Sequence, residues 1–397
     1  MRRDDLCHAI RERLERLPDP HAAHYGVVPP PPPEDAIPLG QGLADHGRAV
    51  AALARVDLLA GEMADPYMVS RLLTRREAVS SSSIEGTYST LDELLSLEEE
   101  AGDGDRAAAR QVRDYALILD RLVPQAAAHG PAFFTPALIA ELHRAVVQGD
   151  AGYPDAPGAL RECVVWIGGP RADIAYSRYN PTPPARIEAC LDDTIAYLRS
   201  EGMQGMTQSL IERMAIAHAH FEAVHPFRDG NGRVGRLLLP LMMAADGTVP
   251  LYLSPYIEAH RQAYYDALAA AQQRLDWGAM VAFLADAVTG TVDELTATRA
   301  ALVALVTAWR GRRRYRGGSA ALRTLALLPD YPVLTARRLG ERLDVSPPAA
   351  NAAIEQLVAA DVLRERTGYR RNRVFVAHEV LRVLNRPFGV LPIVDQA

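Results

Sequence analysis

Residues capable of phosphate chemistry are concentrated in one short segment of this 397-residue chain, residues 225–236, which reads HPFRDGNGRVGR. One helical pattern ends before the segment and another starts near Asn231 or Gly232. Glycines let backbone N–H groups approach an anion, and the start of a helix adds its positive end. Arg233 and Arg236 are three positions apart, so both project toward the same side of that helix. The segment therefore predicts a phosphate-binding site.

Two further side chains give this site a chemistry. Asp229 is a hard oxygen ligand suited to a Mg²⁺ ion that bridges two phosphates. His225 is the side chain there that ordinarily titrates near neutrality, so it can take a proton from an attacking hydroxyl. Taken singly, these features are typical of a helix terminator, a turn and a solvated face. Their combination within twelve residues predicts one anion site with a base, and Phe227 is predicted to point inward and pin the loop.

Composition limits how phosphate can be held. All 43 basic residues are arginine, and the chain contains no lysine. A P-loop lysine, a Schiff-base lysine and the strand lysine of protein kinases are therefore excluded, and a bound phosphate must be held by arginine, backbone N–H groups and metal. Cys7, Cys163 and Cys190 are scattered without metal-ligand spacing, which argues against a zinc site or a disulfide framework.

Charge is divided unevenly along the chain. The net charge is −6, yet the part from Trp309 onward carries 16 arginines against 8 acidic residues. An acidic body and a basic C-terminal module suggest different partners for the two parts. No apolar run is long enough to cross a bilayer, and the basic N-terminus is not followed by an apolar signal core. We therefore expect a cytoplasmic protein without a membrane partner.

Residues 225–236 resemble the signature HxFx(D/E)GNGRxxR of the Fic (Fido) family at every specified position. The stretch LYLSPYI at 251–257 and the residues at 260–265 are also similar to the helices that follow this signature in the family. The resemblance covers roughly residues 28 to 300. It implies a mostly helical fold and AMPylation, in which a nucleotidyltransferase transfers AMP from Mg-ATP to a Ser, Thr or Tyr hydroxyl of a target protein.

The resemblance also implies roles for individual residues. His225 would be the general base and Asp229 the Mg²⁺ ligand, while Arg233 would hold the β-phosphate and Arg236 the γ-phosphate. Residues 165–169 resemble the family's flap, whose edge aligns the target segment by strand addition. The nucleotide-binding residues implied in this way are Gly230, Asn231, Gly232, Arg233, Arg236, Tyr264, Tyr265, Ile167, Gly168 and Gly169.

An inhibitory motif precedes the signature. Ser81, Glu85 and Gly86 match the family pattern (S/T)xxxE(G/N), although a serine-rich helix start is an alternative reading of these residues. In the family, this glutamate pairs with the second signature arginine, here Arg236. An arginine forked onto a carboxylate cannot grip the γ-phosphate, so ATP would bind unproductively. In some relatives the same glutamate positions water for removal of AMP, which the sequence leaves open.

The predicted fold class is mainly α: a Fic-fold helical core with a β-hairpin flap, followed by a small winged helix-turn-helix domain. The basic run from Arg310 to Ser319 is typical of a flexible linker, and a helix, helix, helix, hairpin pattern follows it. The predicted divisions are an N-terminal helical region at 1–105 with the inhibitory motif at 81–86, a catalytic core at 106–300, a linker at 301–319, the winged helix at 320–380 and a tail at 381–397.

Two classes of function compete. The leading hypothesis is a self-inhibited protein adenylyltransferase that uses ATP and Mg²⁺ and also modifies itself. The alternatives are a DNA-binding regulator with a nucleotide-sensing Fic core, or a bifunctional enzyme that also removes AMP. The helix 347–359 offers few base-reading side chains, whereas the wing carries phosphate-type arginines. Its partner is therefore left open between DNA and protein, as is a homodimer.

Overall fold

The computed structural model describes residues 1–39, 42–62, 70–99, 107–150, 152–169, 173–202, 207–368 and 373–394. Within them the architecture is mainly helical, as predicted. The helices are α1 (His8–Arg11), α2 (Leu43–Glu62), α3 (Ser70–Ile84), α4 (Leu91–Glu99), α5 (Ala107–His129), α6 (Pro136–Val147), α7 (Ile187–Leu198), α8 (Leu210–Val224), α9 (Asn231–Ala245), α10 (Ser254–Ala259), α11 (Arg261–Arg274), α12 (Trp277–Arg312), α13 (Ala320–Leu327), α14 (Ala336–Leu343), α15 (Pro347–Ala359) and α16 (His378–Leu384).

Two small antiparallel sheets accompany the helices. β1 (Leu14–Arg16) pairs with β2 (Tyr25–Val27) near the N-terminus. In the C-terminal part, β5 (Val374–Val376) lies between β3 (Val333–Thr335) and β4 (Arg364–Glu365). α1 leads directly into this hairpin, and the turn between its two strands contains Pro18 and Pro20.

Helices α8 and α9 form the centre of the main core and hold the 225–236 segment between them. Every residue of α8 except Arg213 is buried. Ser209 caps its first turn by accepting from the Glu212 N–H while the Glu212 carboxylate accepts from the Ser209 N–H, a reciprocal capping box. At the other end, His225 takes the left-handed conformation that ends the helix. α9 then starts at Asn231, as the sequence predicts.

The predicted flap differs from a hairpin with a regular ladder. Among the described residues of this region, one isolated β-bridge joins Ile167 to Tyr179. The Ile167 N–H donates to the Tyr179 carbonyl at 2.8 Å, and the Ile167 carbonyl accepts from Arg178 at 2.9 Å. A short 3₁₀ turn at Ile174–Tyr176 lies between these two bridged residues in sequence. The prolines from residue 181 onward lack a backbone N–H, so they cannot donate to a longer ladder. Pro170 of the predicted turn lies outside the described residues.

A long helix enters the segment 301–319 for which the sequence predicts a linker. α12 continues to Arg312 and buries Ala301, Leu305 and Trp309 in a second hydrophobic core. The Trp309 indole N–H donates to Glu379 at 2.7 Å. At the start of the predicted tail at 381–397, residues up to Leu384 form the buried end of α16. Apolar residues at helical spacing outweigh the basic composition that suggested a flexible linker.

The second core joins the C-terminal elements to α3 and α4. Leu72 of α3 and Leu91 and Leu95 of α4 belong to it. Arg71 of α3 donates to the Asp330 carbonyl at 3.1 Å, and its guanidinium lies 4.5 Å from the centre of the Tyr331 ring. The winged-helix domain and its partner stay predictions.

Part of the predicted phosphate-contacting wing is engaged within the chain itself. Arg364 pairs with Asp361 at 3.0 Å, and Arg373 pairs with Glu365. Arg366 donates to the Ser96 hydroxyl of α4 at 2.8 Å. The other two wing arginines of the sequence prediction, Arg370 and Arg371, lie outside the described residues. None of the helices in the described part of the chain is both long and apolar enough to span a bilayer.

Candidate active site

The 225–236 segment folds as a loop closed by its own side chains. The Asn231 side chain accepts from the Phe227 N–H at 2.8 Å and donates to the Phe227 carbonyl at 2.7 Å. Phe227 is fully buried and stacks on His143 with ring centres 3.8 Å apart. Phe227 therefore pins the loop to the core, as predicted. The Asn231 amide thus uses its oxygen and one of its two N–H donors within the loop.

His225 stands at the end of α8 with its backbone fixed. Its carbonyl accepts from the Arg161 guanidinium at 2.7 Å, and its N–H donates to the Phe221 carbonyl at 2.9 Å. Burial, with a smaller effect of the Arg161 charge, lowers the pKa of the His225 imidazole to about 4, although the Glu85 charge opposes the shift. The imidazole is therefore neutral at pH 7, the form that can accept a proton.

Arg236 is almost entirely buried, and the predicted inhibitory motif engages it. Its guanidinium donates to the Glu85 carboxylate at 2.8 Å, and to the Ser81 hydroxyl and carbonyl at 2.9 Å each. Burial raises the pKa of Glu85, but the charge and hydrogen bond of Arg236, together with the charges of Arg233 and His225, hold the pKa below its ordinary value. Both groups are therefore charged at neutral pH and form a charge-assisted hydrogen bond.

The Glu85 carboxylate also reaches the start of α9. A Cβ atom placed on Gly232 would collide with Glu85 Oε1, so only glycine lets the carboxylate approach so closely. The first turn of a helix presents unpaired N–H groups and a partial positive charge, which favour an anion. Glu85 thus stands at the helix end where the sequence predicts bound phosphate.

Arg233 and Asp229 are the other two charged residues of the segment to which the sequence assigns a role, and they lie close to each other. Arg233 is buried, donates to the Val146 carbonyl at 3.3 Å and lies 3.5 Å from Asp229. The Asp229 carboxylate is 62% exposed, and it accepts from the Gly230 N–H at 2.7 Å. A single exposed carboxylate fits Mg²⁺, which keeps several waters and takes other oxygens from substrate phosphates. The described residues contain no cluster of three or more acidic, His or Cys ligands.

A cavity of about 880 Å³ opens beside His225. That volume lies within the usual range for a small-molecule site. The predicted site residues that line it are Glu85, Ile167, Gly168, His225, Gly232, Arg236, Tyr264 and Tyr265. Asp229, Gly230, Asn231, Arg233 and Gly169 are not among its lining residues. Tyr264 is buried and its hydroxyl lies 2.7 Å from His218 Nε2, whereas Tyr265 is 40% exposed.

Two stretches of this chain match family models. Residues 133–243 match the Fic/DOC family, and residues 43–120 match the Fic/DOC family N-terminal region. These two stretches of the chain are therefore similar to the Fic/DOC family. The first contains the whole 225–236 segment, and the second contains Ser81 and Glu85.

Named relatives carry the same domain. The chain is 39% identical over 115 residues to protein adenylyltransferase fic-1 of Caenorhabditis elegans, a match that covers 29% of this chain and 20% of that protein. It is 30% identical over 163 residues to protein adenylyltransferase Fic of Aedes aegypti, covering 41% and 29% respectively. The matches thus span less than a third of these relatives' length.

A solved structure shares the overall fold. A Fic family protein from Desulfovibrio desulfuricans G20 aligns with a TM-score of 0.51 at 20% identity, covering 88% of this chain and 98% of that one. At this identity the likeness concerns the fold alone. It extends beyond the 225–236 segment to most of the helices described above.

Sequence reasoning missed two residues that support this site. Arg161 is buried, and its guanidinium donates to the carbonyls of His225, Cys163 and Thr182 at 2.6–2.9 Å. Burial lowers the pKa of Arg161 to about 10. His143 accepts from the Gly158 N–H at 2.8 Å, so its Nε2–H donates to the Asp229 carbonyl at 3.1 Å. Neither residue belongs to a sequence pattern, because each acts through backbone atoms distant in the chain.

Replacing His143 by alanine should lower the free energy of unfolding by about 3 kcal/mol, because two hydrogen bonds and the stack on Phe227 are lost together. His143→Phe, which retains the stack, should cost less. Urea unfolding of both variants measures the difference. His129→Ala removes an exposed histidine and should change stability by less than about 0.5 kcal/mol. Equal losses in His143→Phe and His143→Ala would contradict a role for the ring stack.

Proposed function

We propose that this chain is a self-inhibited protein adenylyltransferase that transfers AMP from Mg-ATP to a Ser, Thr or Tyr hydroxyl. One observation carries the proposal: His225, Gly232 and Arg236 line one nucleotide-sized cavity, with the Glu85 carboxylate standing where an anion would bind. The named relatives are protein adenylyltransferases, which supports the same reaction class.

The proposed reaction follows from these positions. The target hydroxyl attacks the α-phosphorus of ATP, its proton passes to the neutral imidazole of His225, and the bond to pyrophosphate breaks. Arg233 and Arg236 carry fixed positive charge toward the phosphates, which stabilises the charge developing on the leaving group. Asp229 would hold Mg²⁺, and the ion would neutralise phosphate charge when bound. The rest of the catalysis is positioning by the buried helix ends.

Self-inhibition follows from the competition for Arg236. While its guanidinium is held by Glu85 and Ser81, it cannot engage a terminal phosphate, and the Glu85 carboxylate repels phosphate from the start of α9. Activity then requires Glu85 to leave. Removal of AMP from a modified target is a further reaction that the same glutamate could support by orienting water.

Label transfer from two forms of ATP tests the reaction. Glu85→Gly protein, alone and with cell lysate, is incubated with Mg²⁺ and ATP carrying ³²P at either the α- or the γ-phosphate. Adenylyl transfer places label on protein from the α-form alone, and the intact mass rises by one adenylyl group per site. The same protein with His225→Ala should incorporate almost none. Label arriving from the γ-form, or from neither form, would contradict the proposal.

A further inference from the structure

Glu222 is a buried carboxyl group to which neither the sequence pattern nor the proposed reaction assigns a role. It lies one helical turn before His225 on α8 and is 6% exposed. Its Oε2 atom is 3.7 Å from Nδ1 of His225, and the side chain lines the cavity. Among the described residues, Oε1 has no hydrogen-bond partner. A buried polar oxygen without a hydrogen-bond partner lowers the stability of the fold, so the presence of one beside His225 needs an explanation.

The packing around Glu222 leaves room for the carboxyl group and little else. A Cβ atom on Gly235 would lie 2.7 Å from Glu222 Oε1, so a side chain there would push the carboxyl away. The titratable and charged groups that face it are Arg236 from α9, Glu85 from the end of α3, Tyr264 and Tyr265 from α11, and His218 and His225 from its own helix and helix end.

We propose that Glu222 is a positioning residue for His225, holding the imidazole in the tautomer whose Nε2 atom is free to accept the proton of the target hydroxyl. The inference rests on the proposed adenylyl transfer. A carboxylate facing Nδ1 favours the proton on that atom, which leaves the lone pair on Nε2. The backbone carbonyl of Glu222 also faces the imidazole, so the test must separate the side chain from the backbone.

The proton and the charge balance through this pair. As the hydroxyl oxygen bonds to the α-phosphorus and pyrophosphate departs, the hydroxyl proton moves to Nε2 and the imidazole becomes a cation. The Glu222 carboxylate faces that cation from the Nδ1 side and stabilises it until the proton leaves to solvent. Separations in a structure without substrate are commonly longer than in the reacting complex, so 3.7 Å is compatible with a hydrogen bond that forms on binding.

The proposed role of Glu222 predicts the direction in which the transfer rate changes with pH. The pKa of Glu222 is raised to about 8 because burial and the Glu85 charge, which raise it, exceed the opposing effect of the Arg236 charge. Removing Glu85 therefore favours the ionised form of Glu222. In Glu85→Gly protein the transfer rate should rise with pH as Glu222 loses its proton, and in Glu85→Gly/Glu222→Gln that rise should be absent.

The decisive experiment combines this pH profile with histidine NMR. In Glu85→Gly/Glu222→Gln, kcat should fall about tenfold while KM for ATP changes less than about twofold, since the loss affects proton transfer rather than binding. Separately, ¹⁵N-histidine spectra of unliganded Glu222→Gln, compared with the parent protein above pH 8 where Glu222 is ionised, should show the His225 proton shifted from Nδ1 toward Nε2. The His225 signal is assigned by its absence in His225→Ala.

A matched variant separates positioning from packing. Glu212→Gln alters another buried carboxyl on the same helix, at the capping box, and should change neither the tautomer nor the pH profile. An unchanged tautomer and pH profile in Glu222→Gln, or equal changes in Glu212→Gln, would overturn the inference. If Glu85→Gly protein transfers no AMP, the proposed function fails, while the tautomer measurement still reports on Glu222.

Discussion

Replacing Glu85 by glycine is expected to raise the rate of AMP transfer about 100-fold. A hydrogen bond between charged groups contributes about 1.5–3 kcal/mol, and each 1.4 kcal/mol changes a rate or an equilibrium tenfold. The Glu85–Arg236 bond, at 2.8 Å and on a guanidinium that is 1% exposed, belongs at the upper end of that range. Its loss also frees the start of α9 for phosphate, which adds to the effect.

The measurement is incorporation of α-labelled AMP per molecule over time in Glu85→Gly and wild-type protein. Tyr88→Gly is the matched control, because it introduces the same backbone freedom three residues away while the carboxylate stays in place. Tyr88 is 70% exposed, so its removal should leave the rate unchanged. A comparable increase in Tyr88→Gly would show that loosening of the helix end, rather than loss of the charge, activates the protein.

Acidification from pH 7 to pH 5 is expected to lower the free energy of unfolding by about 5 kcal/mol. Burial lowers the pKa of His143, His218, His220 and His225 to about 4 each, against about 6.5 in an unfolded chain. The unfolded state therefore binds more protons between pH 6.5 and 4, so stability falls as pH falls through that window. Each histidine accounts for roughly 2 kcal/mol at pH 5. Glu222, whose pKa is raised, acts with the opposite sign and cancels about one histidine.

Urea unfolding at pH 7, 6 and 5 measures this loss. His220 offers a clean test because it lies outside the cavity and joins α8 to Thr194 at 2.8 Å and to the Pro30 carbonyl at 3.1 Å. His220→Gln should remove about 2 kcal/mol of the pH dependence, whereas His8→Gln, at an exposed histidine, should remove none. A pH dependence that is the same in all three proteins would contradict the assignment to buried histidines.

Much of the fold could be predicted because its main helices carry strong apolar periodicity. α9 starts at Asn231 and α15 spans Pro347–Ala359, as the sequence pattern predicts. Arginine-rich composition and apolar periodicity point to different structures around residues 301–312, where the chain is helical and buries Leu305 and Trp309. At the flap, one β-bridge joins Ile167 to Tyr179 among the described residues, and strand propensity alone does not fix how far such a pair extends.

The site could be predicted where its residues are adjacent in sequence. The motif names His225, Gly232 and Arg236, which line one cavity, and the pattern at Ser81 and Glu85 names two residues that contact Arg236. Arg161 could not be found in this way, because its partners are backbone carbonyls that converge on it only in the folded chain. The internal use of the Asn231 amide was missed for the same reason: the motif shows which residue is present, not which hydrogen bonds it makes.

Helix α12 extends from one hydrophobic core into the other over 36 residues. Its first half packs in the main core with Met280 and Leu284, and its second half packs with Trp309 in the C-terminal core. A helix stabilised by tertiary packing at both ends loses much of that stability when either end is exposed. The two cores therefore unfold cooperatively, and a chain truncated at residue 301 would lose packing on both sides of the cut.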